Sequence, residues 1–171
     1  MSIIVGVDPG SRFLGYGVIE WSDGAARHLA HGVIALPETL SFSARLGLLG
    51  KKLNELFQKW PQAEAVVEKV FFGKNADSAF KLGHARGVCL MAAAQAGYPV
   101  FEYATREVKK SVTGNGAASK EEVLAVVQQW LKIKVVVRLD ATDALALALC
   151  HGQKIEVSRR LQQNGAEGVS L

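Results

Sequence analysis

Ile3-Ile4-Val5-Gly6-Val7-Asp8-Pro9-Gly10-Ser11 is the stretch from which the fold is read. Its apolar run predicts a buried strand, and Pro9-Gly10 turns the chain immediately after a carboxylate. Gly15-Tyr16-Gly17-Val18-Ile19-Glu20-Trp21 follows so closely that the two strands are expected to pair as a hairpin. An ionised acid closing an apolar strand needs a partner, because desolvating it alone costs several kcal/mol. Asp8 can accept hydrogen bonds from its own turn, or share a cation with acids that recur at matching places in the chain.

Working outward, Asp23-Gly24 marks a second turn and residues 27–36 a third strand. His28 and His31 have the i,i+3 spacing of a helical metal site, but strand alternation sends them to opposite faces, so they are rejected as ligands. Residues 41–60 form a helix with one apolar stripe: Phe42, Leu46, Leu49, Leu53, Leu56 and Trp60. The fourth strand, residues 64–72, carries Glu68 late in an apolar run, as the first carries Asp8. Alternation puts Glu64, Val66 and Glu68 on one face, which suits either a site or solvent.

A second helix covers residues 75–97, where Gly83, Gly87 and Ala92-Ala93-Ala94 allow close helix packing, between subunits or within one. Residues 100–103 make a fifth strand and 106–112 a short helix. Ser119-Lys120-Glu121-Glu122 fits a capping box, which opens a helix striped by Val123, Val126, Val127, Trp130 and Leu131. The last helix runs from Leu139 to Cys150. Each later strand follows a helix, so the fold is α/β, a mixed sheet with helices on both faces. Residues 1–155 are read as one domain and the polar residues 156–171 as a mobile tail.

Composition agrees with an ordinary globular domain: of 171 residues, 49% are hydrophobic and 21% charged. No apolar run is long enough for a membrane span, no export signal opens the chain, and Cys89 and Cys150 sit apart in apolar runs. A cytoplasmic, membrane-free protein with reduced core thiols is expected. Net charge of +4 permits a polyanionic partner. Arg106, Lys109, Lys110 and Lys120, then Lys132, Lys134 and Arg138, are either solvated helix faces or phosphate contacts. Of Phe71 and Phe72 one must leave the core, to cover a helix or to stack on a base.

Asp140 and Asp143 lie three apart at a helix start, on one face. Acids there also suit the helix macrodipole. If the first and fourth strands are parallel neighbours, Asp8 and Glu68 meet at their carboxyl ends, where open α/β sheets bind ligands. Two carboxylates ~4 Å apart repel by about 4 kcal/mol at an effective dielectric near ~20, so the group must take up protons or a cation. An all-oxygen donor set selects Mg2+ or Mn2+, and paired ions of this kind serve phosphodiester cleavage.

Val5-Gly6-Val7-Asp8-Pro9-Gly10-Ser11-Arg12 with Gly15-Tyr16-Gly17, Val67-Glu68-Lys69-Val70-Phe71 and Lys74-Asn75-Ala76-Asp77-Ser78-Ala79 resemble the bacterial RuvC-type Holliday-junction resolvases. So do Leu82-Gly83-His84-Ala85-Arg86-Gly87 and Asp140-Ala141-Thr142-Asp143-Ala144-Leu145-Ala146. The resemblance spans roughly residues 3–151. It implies a ribonuclease H-like five-stranded sheet of order 3-2-1-4-5, strand 2 antiparallel. It implies a homodimer formed through the helix 75–97, and a structure-selective endonuclease of recombination and repair. Such an enzyme nicks four-way DNA junctions symmetrically, leaving 5′-phosphate and 3′-hydroxyl ends.

By the same resemblance, Asp8, Glu68, Asp140 and Asp143 are catalytic metal ligands for two Mg2+ ions per subunit, with Mn2+ able to substitute. Lys109 and Lys120 assist at the scissile strand. Phe71, Lys74, Arg86, Arg106, Lys109, Lys110 and Lys120 contact DNA, and a RuvA–RuvB branch-migration complex is the implied partner. Two departures stand out: Lys134-Val135-Val136-Val137-Arg138 replaces a loop usually more polar and Pro-containing, and the chain past Ile155 exceeds what the family needs.

The first strand is also similar to the phosphate loop of actin- and sugar-kinase-like ATPases, which need a second domain for which this chain has no room. The YqgF-like proteins share the fold but usually carry an aromatic where Pro9 stands. A junction-binding protein that does not cut is the third reading.

Overall fold

β1 (Ser2–Asp8) and β2 (Phe13–Ser22) run antiparallel from Ser2↔Trp21 to Asp8↔Gly15, as the turn at Pro9-Gly10 requires. The computed structural model describes residues 1–69, 76–134 and 138–167. β3 (Ala25–Ala35) follows through Asp23 and Gly24, whose φ angles of 51° and 76° are both left-handed. A two-residue Asp-Gly loop of this kind matches the twist of the strands it joins. β4 (Glu64–Lys69) lies parallel to β1, and β5 (Val100–Ala104) parallel to β4. The order is β3-β2-β1-β4-β5, the sheet expected from the resemblance.

Alternation divides the core into two layers. Val5, Val7, Ala65 and Val67 meet α1 (Phe42–Phe57) and α2 (Ala76–Gln95) through Leu49, Leu53, Ala85, Cys89 and Ala92. Ile4, Ile19 and Val66 face the other way, onto α3 (Thr105–Thr113), α4 (Lys120–Leu131) and α5 (Leu139–Glu167). Ser41 caps α1 by accepting from the Ala44 amide. The capping box holds in both directions: the Glu122 amide donates to Ser119 Oγ at 3.1 Å, and the Ser119 amide to Glu122 Oε2 at 2.6 Å. Both cysteines are buried and unpaired. Among the described residues no helix is long and apolar enough to cross a membrane.

Three findings correct the expectations. The register of β2 and β3 shifts between Val18↔Ala30 and Ile19↔His28, leaving Leu29 without a partner. That bulge cancels one step of alternation, so His28 and His31 share a face and their ring nitrogens lie 2.8 Å apart. The face carrying Glu64, Val66 and Glu68 is not solvent: it lies under α5, where Glu64 accepts from His151 Nε2 at 2.8 Å. α5 continues unbroken to Glu167, through the residues read as the start of a tail. Glu156 and Arg160 of this continuation lie beside Gly24 in the β2–β3 turn, and Arg160 Nε donates to Glu156 one turn back at 2.9 Å. Phe71, Lys74 and the end of the strand assigned to 64–72 lie outside the described residues, as does most of 134–138.

Candidate active site

The position of α5 on the sheet sets the geometry. Gly6 and Gly15 leave a trough across β1 and β2, in which the α5 backbone lies directly on the strands. A Cβ on Gly6 would overlap the Ala144 carbonyl oxygen; one on Gly15 would overlap that of Asp140. No side chain other than hydrogen allows so close an approach. Buried His151 fastens the same helix further along, with Nδ1 2.7 Å from the Tyr103 hydroxyl on β5 and Nε2 on Glu64 of β4.

Asp8 closes β1 on the face of Ile4 and Gly6, the α5 face. Glu68 lies one step beyond the parallel partners Val7↔Val67, on the same face of β4. The first turns of α5 bring Asp140 and Asp143 over them. Burial, then the negative charges of Glu68, Asp143 and Asp140, with a hydrogen bond to Glu68, pushes the Asp8 carboxyl from 3.8 up to about 8. Asp143 is also raised, chiefly by burial, with Lys120 opposing. Glu68 is oriented by Thr105, whose hydroxyl donates to Oε1 at 2.6 Å from the start of α3.

Two cations reach the α5 acids. The capping box puts Lys120 at the start of α4, with its ammonium 3.4 Å from Asp143 Oδ2, and Arg138 Nε stands 3.2 Å from Asp140 Oδ2. Asp143 in turn holds the Lys120 pKa above its usual value. Among the described residues, no three His, Cys, Asp or Glu side chains are grouped closely enough to hold a metal ion as they stand. The chemistry of the donor set nonetheless fits a hard divalent cation: four carboxylates, with Asp8 forced to hold a proton that a bound cation would replace.

The other residues singled out in the sequence fall into two groups. Lys109 lines a small cleft with Glu68, Thr105 and Asp143, and its ammonium donates to the Ala118 carbonyl at 2.6 Å. Exposed Arg106 packs over Gly116. Arg86 is turned away from solvent: Nε donates to the Glu68 carbonyl at 3.1 Å and the guanidinium pairs with Glu102, so it braces the strand carrying Glu68. Lys110 lines a cleft with Trp21, Trp130 and Lys154. Trp21 pairs with Ser2, so that cleft lies at the opposite end of β1 from Asp8. Sequence reasoning missed Thr105, which has no signal, and the purpose of Gly15 and Gly17, whose i,i+2 spacing on one strand does signal a close neighbour.

A pH dependence follows. Below about pH 4 the Asp8 carboxyl is protonated whether folded or unfolded and contributes nothing. Between about 4 and 8 the unfolded chain has released this proton while the folded chain keeps it, so stability falls as pH rises. The loss between pH 6 and 8 is on the order of 2 kcal/mol, or ~5 °C in Tm. Metal-free protein is therefore expected to melt lower at pH 8 than at pH 6, relative to Asp8→Asn, in which this proton is absent. Parallel Tm curves for the two proteins would disprove the coupling.

A family model described as crossover junction endodeoxyribonuclease RuvC matches residues 4–151. A crossover junction endodeoxyribonuclease RuvC of Bdellovibrio bacteriovorus is 48% identical over 161 residues, covering 94% of this chain and 96% of the relative. That of Myxococcus xanthus is 51% identical over 150 residues, covering 86% and 78%. The structure of T. thermophilus RuvC in complex with Holliday junction substrate superposes with a TM-score of 0.85 at 32% identity, covering 92% and 97% of the two chains. Agreement of this extent, in sequence and in superposed structure alike, means that the chain belongs to the RuvC family of crossover junction endodeoxyribonucleases.

Proposed function

We infer that this chain resolves four-way DNA junctions, hydrolysing one phosphodiester in each of two opposed strands. The observation that carries the reading is the crowding of Asp8 by Glu68, Asp140 and Asp143 at the carboxyl ends of two parallel strands. The family's name and a relative solved on a junction supply the substrate class. Asp8, Glu68, Asp140 and Asp143 are the residues that would hold divalent ions, two Mg2+ or Mn2+ per subunit, and these would supply Lewis-acid stabilisation of the charge that develops at phosphorus.

The chain's own groups do the rest. Thr105 fixes the Glu68 carboxylate, and the Gly15 contact fixes the height of Asp140. Lys109 and Lys120 flank the carboxylates, where a phosphate oxygen accepts from their ammonium groups. Water adds to phosphorus as the 3′ oxygen leaves, so the products are a 5′-phosphate and a 3′-hydroxyl. Arg106, near the same cleft, contacts the DNA backbone further out; Phe71 and Lys74 are assigned DNA contacts by resemblance alone.

Symmetric nicking needs two sites. α2 exposes Phe80 (67%) and Met91 (51%), and nothing lies within 4 Å of where side chains on Gly83 and Gly87 would begin. This open apolar stripe is the face through which two copies pair. Phe80→Glu is expected to give a monomer in sedimentation that no longer makes paired nicks; a persisting dimer places the interface elsewhere. The expected setting is the cytoplasm, with a RuvA–RuvB branch-migration complex as partner.

The decisive experiment incubates the protein with a synthetic mobile four-way junction and with linear duplex, with and without Mg2+. Paired nicks in the junction alone, and only with the metal, are expected. Equal cutting of linear duplex, or cutting in chelator, defeats the reading.

A further inference from the structure

The two cations beside the α5 acids differ in how they are held. Lys120 is a point charge at a helix start. Arg138, immediately before α5, has a second anchor: its guanidinium carbon stands 3.7 Å from the centre of the Phe13 ring, a close cation–π stack. Its bond to Asp140 runs from one nitrogen, Nε, to one oxygen, Oδ2, at 3.2 Å, and lacks the two-pronged geometry of the strongest Arg–carboxylate pairs. Both side chains are partly open to solvent, 44% and 34% exposed, so this is a bond that exchanges readily. Beside it lies a cleft of about 390 Å³ lined by Phe13, His31, Gly32, Val33, Ala35 and Ala141, with room for the guanidinium to swing.

Asp140 cannot serve Arg138 and a divalent ion equally. Resting on the reading of Asp140 as a metal ligand, we propose that Arg138 couples metal loading to DNA binding. Without metal it neutralises Asp140 and is unavailable to substrate. When a cation takes Asp140, the guanidinium is released but stays beside the site on Phe13, and binds a phosphate oxygen of the incoming strand. Metal and DNA then strengthen each other's binding, because each removes what the other competes with. Phe13 is what separates this from a simple exchange of counterions: without the shelf, a freed arginine would disperse into solvent and lose its position.

The test measures binding, not cleavage. Junction affinity is determined for wild type, Arg138→Gln and Phe13→Leu, in chelator and in Ca2+, across a salt series; Ca2+ affinity is titrated separately without DNA. In chelator, Arg138→Gln is expected to bind the junction as wild type does. In Ca2+ it should bind about five-fold more weakly, with a salt slope lower by about one phosphate contact. Its Ca2+ affinity without DNA should be about two- to five-fold tighter, since the competitor is gone. Phe13→Leu should lose part of the Ca2+-dependent junction affinity.

A loss of junction affinity equal in chelator and Ca2+ makes Arg138 a permanent contact and overturns the proposal. Unchanged affinities for both ligands overturn it too. Should wild type bind no divalent ion at all, it is the metal-site reading that fails, and the titration without DNA detects that directly.

Discussion

Asp8→Asn is expected to lower junction cleavage in Mg2+ by about a thousand-fold or more, leave junction binding nearly intact, and raise the stability of the metal-free protein. The three effects share one cause. Asp8 is the most crowded of the acids, pushed up to about 8 by burial and by Glu68, Asp143 and Asp140. An amide keeps its shape and removes its charge, so the repulsion disappears together with the ability to hold a divalent ion. At pH 8 the gain is on the order of 5 kcal/mol, readable as a Tm increase of about 10 °C. Cleavage, binding and melting together separate this from misfolding, which lowers all three. A variant that cuts like the parent removes Asp8 from the mechanism; one that melts lower without metal removes the electrostatic account of the site.

Gly15→Ala carries the second large effect, from a residue that touches no substrate. Its new Cβ would overlap the Asp140 carbonyl and crowd the Ala141 amide, both backbone, so no side chain can rotate away. The start of α5 must lift from β2. Overpacking of this kind costs about 1–3 kcal/mol. The larger loss is catalytic: a shift of ~1 Å in a positioned group costs on the order of a hundred-fold in rate. Gly47→Ala is the control, because nothing lies within 4 Å of a Cβ in that part of α1. Removing a helical glycine there is worth up to about 1 kcal/mol of added stability with cleavage unchanged. If Gly15→Ala retains full activity, contact with the sheet does not set the height of Asp140.

The two variants act on different links. Asp8→Asn changes charge within an unchanged frame, whereas Gly15→Ala changes the frame and leaves every carboxylate in place. Arg138 acts between them, because it reads whether Asp140 is free. Lys120 and Arg138 also account for how the acids persist without metal: each covers one of the two α5 carboxylates, and Asp8, which neither covers, holds a proton instead.

What the sequence by itself determined was local. Asp23-Gly24 specified its turn because two left-handed residues in succession favour that pair. Ser119 and Glu122 specified the start of α4 because a capping box closes within four residues. The stripes of α1 and α4 and the apolar run of β1 declared which faces are buried. The four acids could be listed from their places at strand ends and a helix start, and motif resemblance gathered them.

Tertiary structure alone decided the rest, because it turns on partners distant in the chain. Alternation said that Glu64, Val66 and Glu68 share a face, but only α5 lying in the glycine trough made that face an interior. The unpartnered Leu29 reversed the geometry of His28 and His31, since a bulge is a property of two strands in register and not of one. Arg86 left the list of exposed cations for the Glu68 carbonyl and Glu102, partners 18 and 16 residues away. The polar continuation of α5 reads as a tail until the β2–β3 turn is seen beside it. Hydrogen bonds within a turn and the period of a helix are written in neighbouring residues; which carboxylate meets which cation is fixed only when the sheet brings distant segments to one end.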